Sequence, residues 1–125
     1  MTKPPSVLMV TAAQVLADIY LRRFERQHWD AHVVTDLGEA ERKAVRLRPT
    51  VMLIDLDTIG GVVDELKRLK RLPTLMKTAL IVFAQHASRV MVHDLLAAGA
   101  RDVILTPHMK PTEVVDRINQ HYVKN

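Results

Sequence analysis

Val51-Met52-Leu53-Ile54-Asp55-Leu56-Asp57 lies between Pro49 and the pair Gly60-Gly61. Four apolar residues run without alternation into an aspartate. A strand with one face in water alternates apolar and polar residues. An unbroken run of this length predicts a strand covered on both faces, in the middle of a parallel sheet. Asp55 then falls at or near its carboxyl end, the edge where open α/β sheets bind ligands and carry out chemistry.

The flanking sequence repeats the same unit. Ser6–Val10 is a short apolar run, followed by a helical pattern with Val15, Leu16, Ile19 and Phe24 on one side and Arg22, Arg23, Glu25 and Arg26 mostly on the other. Residues 31–35 form a second short strand. Asp36 with Glu39 fits a capping box at the start of a helix presenting Leu37, Ala40, Ala44 and Val45, which Pro49 stops. After Gly60-Gly61, Val62, Val63, Leu66 and Leu69 mark a third helix, with Lys67, Arg68, Lys70 and Arg71 on its solvent side. Residues 79–83 are again continuously apolar. Ser88 can cap a fourth helix with Met91, Val92, Leu95 and Leu96 inward, and Gly99 stands where a left-handed residue ends it. A fifth strand spans 102–105. Pro111 suits the first turn of a last helix carrying Val114, Val115, Ile118 and Tyr122 on one face.

Five βα units in strict alternation imply a parallel sheet with helices on both faces. Five are too few for a closed eight-stranded barrel. The expected fold is therefore an open, doubly wound α/β sheet of the flavodoxin-like type, strand order 2-1-3-4-5, with all 125 residues in one domain.

Composition narrows the chemistry. With no cysteine, disulfides, thiolate metal sites and cysteine nucleophiles are excluded. No apolar run approaches the ~20 residues of a membrane-spanning helix. Residues 1–5 lack the features of a signal peptide, so a cytoplasmic protein is expected. A net charge of +4 permits acidic partners without requiring them. The first βα turn, Thr11-Ala12-Ala13, contains no glycine, so neither a dinucleotide fingerprint nor a phosphate-binding P-loop is present.

Over nearly its full length the pattern resembles the receiver domain of two-component response regulators, the CheY-like family. The resemblance is carried by Val7-Leu8-Met9-Val10, by Arg48-Pro49 leading through Val51–Ile54 to Asp55, and by Ala98-Gly99-Ala100 leading into Arg101–Leu105. Thr106-Pro107 stands in the place of that family's Lys-Pro. The resemblance implies a signalling module and not an enzyme. It makes Asp55 the equivalent of the phospho-acceptor.

A working receiver, as that family is known, needs two acidic residues after strand one to help hold Mg²⁺, an acceptor aspartate, a hydroxyl ending strand four and a lysine ending strand five. A phosphoryl group arriving on a carboxylate brings charge that a hard cation and an ammonium must neutralise. Here Thr11 and Ala12 replace the acidic pair, Ala84 the hydroxyl and Thr106 the lysine. Val103 replaces an aromatic often found near the start of strand five, and the loop after Asp55 is about two residues short and lacks its usual proline. Asp57 matches a position that offers Mg²⁺ a backbone carbonyl.

These departures predict a degenerate pseudo-receiver: a protein-interaction module that works without phosphorylation and without Mg²⁺ or another cofactor. Asp55 is then a relic carboxylate tied to backbone N–H groups, to Thr11 or to Thr106. The resemblance implies that the partner or dimer surface is the helix 4–strand 5–helix 5 face, and Arg89, Val90, His93 and Asp94 are expected as its exposed members. The alternative is a phosphorelay receiver that still uses Asp55. Lys110, four residues past Thr106, is read as a surface residue at a helix start and not as a substitute lysine. A different class of function would use Lys67, Arg68, Lys70 and Arg71 against nucleic acid. His86, His108 and Asp57 share an edge with Asp55, but their spacing matches no metal motif.

Overall fold

A computed structural model describes residues 3–122, apart from the side chain of His108. Five strands alternate with five helices: β1 (Ser6–Val10), α1 (Gln14–Arg26), β2 (Asp30–Val34), α2 (Leu37–Leu47), β3 (Val51–Asp55), α3 (Val62–Leu69), β4 (Ala79–Ala84), α4 (Arg89–Ala98), β5 (Asp102–Leu105) and α5 (Pro111–Tyr122). Short 3₁₀ turns lie at Pro73–Leu75 and Thr106–His108. All strand pairs are parallel, in the order β2-β1-β3-β4-β5. This is the expected flavodoxin-like topology.

The period-two geometry of the strands divides the core in two. Leu8, Val10, Met52, Ile54, Leu80 and Val82 face α2, α3 and α4. Val7, Met9, Val51, Leu53, Ile81 and Phe83 face α1 and α5. Every residue of β1, β3 and β4 is buried, which explains their unbroken apolar runs. Each fully buried Leu, Ile or Val there contributes about 1.5–3 kcal/mol. Asp55 follows Leu53 by two residues, so its side chain leaves β3 on the α1/α5 side.

The helix ends are built by the residues expected. The Asp36 carboxylate accepts from the Glu39 N–H at 2.8 Å, and the Ser88 hydroxyl from the Met91 N–H at 3.0 Å. The capping box at α2 is half formed, because the Glu39 carboxylate accepts instead from the Thr35 hydroxyl at 3.2 Å. Gly99 ends α4 at φ 128°, and a Cβ there would lie 2.7 Å from the Lys70 side chain. Lys110 precedes α5, and its N–H donates to the Glu113 carboxylate at 2.9 Å.

Several helix faces differ from the sequence expectation. In α1 the core residues are Ala17, Tyr20 and Phe24, while Val15 is 75% exposed and Ile19 is exposed as well. The buried stripe at spacings of three and seven is set by a small residue and a tyrosine, neither of which dominates an apolar pattern. Val45 in α2 and Leu96 in α4 are likewise exposed, because Leu37, Ala40 and Ala44, and Leu95 and Ala98, occupy the core-facing positions. The second strand begins at Asp30, one residue earlier than expected, and is only half-buried because it lies at the sheet edge. No helix among the described residues is long and apolar enough to cross a membrane.

Candidate functional site

Asp55 ends β3 at the carboxyl edge of the sheet, between β1 and β4, and is 1% exposed. Its Oδ2 accepts from two hydroxyls, Thr11 at 2.7 Å and Thr58 at 2.9 Å. Its Oδ1 accepts from the Asp57 N–H at 3.0 Å. Among the described residues, no lysine, arginine or histidine forms an ion pair with it. The carboxylate is thus solvated by three neutral donors from the ends of β1 and β3 and the loop that follows.

The two hydroxyls are themselves fixed. Thr11, which begins the first βα turn, accepts from the Ala13 N–H at 3.0 Å. Thr58 accepts from the Ala12 N–H at 3.1 Å, and its oxygen lies 3.4 Å from that of Thr11. The loop after β3 folds back on its own strand, with the Thr58 and Ile59 N–H groups donating to the Asp55 carbonyl. This turn carries Thr58 over the carboxylate. Asp57 turns the other way, and its Oδ2 accepts from the Gln85 N–H at 2.8 Å, latching the loop to the end of β4.

Of the alternatives the sequence offered for Asp55, Thr11 and a backbone N–H, that of Asp57, are the ones in contact with it. Thr106 does not take part: its hydroxyl donates to the Ala84 carbonyl at 3.3 Å, because residues 106–108 turn away in a 3₁₀ segment. Thr58 is absent from the sequence reading. Its position three residues after Asp55 gives a weak signal for a side chain closing a turn. Ala84 is buried, and Val103 is half-buried against the α2–α4 side of the core.

The other candidates are dispersed. His86 and Lys110 are exposed, and the side chain of His108 lies outside the described residues. Among the described residues, no three His, Asp or Glu groups are arranged to hold a metal ion. Lys67, Arg68, Lys70 and Arg71 are all exposed, and of the four Arg68 is drawn into ion pairs. Arg68 bridges Glu41 at 2.7 Å and Glu65 at 3.0 Å, and its guanidinium holds the Glu65 carboxyl below its usual range. The Lys70 stem lies against Gly99. On α4, Arg89, Val90, His93 and Asp94 are exposed as expected; Val90 reaches 70%, and His93 lies 3.6 Å from Asp94.

Tyr20, on the α1 side, packs against Phe83 with ring centroids 5.7 Å apart and the planes tilted by 43°, and Phe83 is paired in register with Asp55. Burial, then the nearby Asp55 charge, pushes the Tyr20 phenol from 10.0 up to about 12. Between those values the unfolded chain has lost this proton and the folded chain keeps it. Tyr20 therefore contributes its full stabilisation below pH 10.0, and loses it as pH rises towards about 12. After discounting for screening, about 1–2 kcal/mol is expected to disappear across that window. Urea unfolding at stepped pH tests this: Tyr20→Phe should flatten that part of the alkaline loss, and an unchanged curve would show that Tyr20 does not cause it.

No family model matches the sequence, and no curated protein matches it. Solved structures do match in fold. A CheY-like response regulator receiver domain protein from Methanospirillum hungatei JF-1 superposes with a TM-score of 0.83 at 18% identity, covering 98% of this chain and 96% of that one. HP1043, an orphan response regulator of H. pylori, gives 0.82 at 16% identity, covering 92% and 93%. A response regulator protein from Burkholderia pseudomallei, solved with a phosphorylated aspartic acid, calcium ion and citrate, gives 0.78 at 18% identity, covering 97% and 68%. With the β2-β1-β3-β4-β5 sheet and an aspartate ending β3, this chain has the fold of the response regulator receiver, the CheY-like domain.

Proposed function

We propose that this chain is a pseudo-receiver: a signalling module that binds a protein partner, or a second copy, through the α4–β5–α5 face without phosphorylation of Asp55. The observation that carries this reading is the Asp55 carboxylate, 1% exposed and already held by Thr11, Thr58 and the Asp57 N–H. An incoming phosphoryl group would have to displace the hydroxyls. It would meet neither a lysine at 106 nor a hydroxyl at 84.

The same residues fit Mg²⁺ poorly. Thr11 and Ala12 stand where two carboxylates would bind it, and the Asp57 side chain is engaged with Gln85. A hard cation needs several charged oxygens, and here one buried carboxylate is left. Mg²⁺ at millimolar concentration is expected to give no saturable shifts at Asp55 or Asp57 in NMR titration.

Treatment with acetyl phosphate and Mg²⁺, followed by intact-mass measurement, tests the central claim. The mass is expected to stay unchanged. A phosphoryl gain that disappears in Asp55→Asn would establish the phosphorelay reading instead. The basic α3 is expected to bind duplex DNA only weakly and with steep salt dependence, since Arg68 is held by two carboxylates.

A further inference from the structure

In the strand order β2 is outermost, and among the described residues it pairs with β1 alone. The Asp30 N–H donates to the Pro5 carbonyl, and the Val34 carbonyl accepts from the Thr11 N–H. Backbone groups alternate sides along a parallel strand, so the N–H and C=O of Ala31 and Val33 face the outer edge. Beside this edge runs a cleft of about 640 Å³. Both parities of β2 line it, His32 and Val34 as well as Val33, so the cleft takes in the backbone edge and not one sheet face alone.

Its other wall is α2, which contributes Arg42, Lys43 and Arg46. All three are exposed, and among the described residues none forms an ion pair. The two acids in the cleft are engaged: Asp30 with His32 at 2.9 Å, and Glu39 with the Thr35 hydroxyl at 3.2 Å. Three cations are thus left without a carboxylate, along a helix that flanks unpaired strand backbone.

We propose that the β2 edge takes an extended acidic segment of a protein partner as a sixth strand. The open N–H and C=O groups of Ala31 and Val33 pair with its backbone, and Arg42, Lys43 and Arg46 meet its carboxylates. The five residues of β2 offer about 16 Å of edge, a length suited to a short strand and too long for a single phosphate-sized anion. A second copy of the chain fits worse, because β2 against β2 brings two sets of the same three cations together. This surface lies on the opposite edge of the sheet from β5 and does not depend on Asp55 or on α4. The module would therefore hold two partners at once.

The probe is a fluorescent ten-residue peptide of alternating glutamate and valine, followed by anisotropy at physiological salt. Binding is expected, with slowed amide exchange at Ala31 and Val33. Arg42→Glu with Arg46→Glu should weaken it at least tenfold. The same peptide with every backbone amide N-methylated should also bind at least tenfold more weakly, since it keeps the charge and loses the N–H donors on both of its edges. Val90→Asp and Asp55→Asn should leave the binding unchanged, which separates this edge from the α4–β5–α5 proposal.

Equal affinity for the N-methylated peptide would overturn strand addition, and absence of binding up to millimolar peptide would overturn the site. A single-stranded oligonucleotide that binds as tightly, with the same dependence on Arg42 and Arg46, would overturn the peptide assignment. Self-association lost in the same charge-reversed variant would overturn it in favour of a second copy. Folding of each variant is checked by urea unfolding.

Discussion

Replacing Thr11 with valine is expected to lower the unfolding free energy by about 2–4 kcal/mol, although the side chain keeps its shape. The Thr11 hydroxyl is the shortest hydrogen bond to Asp55, at 2.7 Å, and Thr11 is 2% exposed. A hydrogen bond to a charged group is worth about 1.5–3 kcal/mol, and removing the donor leaves a buried carboxylate oxygen short of partners. The Ala13 N–H loses its acceptor as well. Thr58→Val should cost less, about 1 kcal/mol, because Thr58 is exposed and water can replace its hydroxyl.

The two hydroxyls meet on one oxygen, so their losses should not add. The double variant removes both side-chain donors to Oδ2, and its cost should exceed the sum of the single costs by at least 0.5 kcal/mol, on the order of couplings between touching residues. Asp55→Asn in the Thr11→Val background should recover part of the loss, since a neutral amide needs less solvation. Urea unfolding with an unchanged denaturant slope reads these differences. A neutral Thr11→Val would show that water reaches Asp55 freely. The pocket would then be open to an ion and a phosphodonor, and the pseudo-receiver reading would lose its main support.

Thr58 shows where the sequence stops being legible. Asp55 can be placed because it ends a run that only a doubly covered strand explains. Thr11 can be placed because it follows β1 directly. Thr58 reaches the carboxylate only through a turn whose shape is set by hydrogen bonds to the Asp55 carbonyl and by Asp57 latching onto Gln85. Residue types alone do not encode that turn. Thr106 illustrates the converse: it occupies the expected place at the end of β5, yet a local 3₁₀ turn sends its hydroxyl to Ala84.

The same division holds for the fold. Asp36, Ser88, Gly99 and Pro111 mark helix ends because each answers a local need for an acceptor, a positive φ or a missing N–H. Which side of a helix is buried depends instead on its neighbours. On α1 the core side is set by Ala17 and Tyr20, and the sequence pattern favoured Val15 and Ile19. The β2 edge was missed for a related reason. Its free backbone groups follow from strand order and register, and Arg42, Lys43 and Arg46 acquire a common direction only once α2 is docked beside it.

Val90→Asp is expected to weaken association of the chain, with itself or with its protein partner, by at least tenfold, about 1.4 kcal/mol. Val90 is 70% exposed at the first turn of α4, where an apolar side chain gains nothing from water and an interface would bury it. Arg89 and Asp94 should contribute less, because exposed charges at an interface rim act more on encounter rate than on affinity. Asp55→Asn should change association by less than about 0.5 kcal/mol, the usual scatter for a substitution without a coupled role. In a receiver that switches, a strand-four hydroxyl and a strand-five aromatic would carry the acceptor's state to this face. Here those positions are Ala84 and Val103, which have neither a hydroxyl to donate nor a ring to move. Sedimentation equilibrium reads self-association, and calorimetry reads a protein partner. If Asp55→Asn shifts either one while Val90→Asp leaves both unchanged, the coupling still runs through Asp55 and the phosphorylation-independent reading fails.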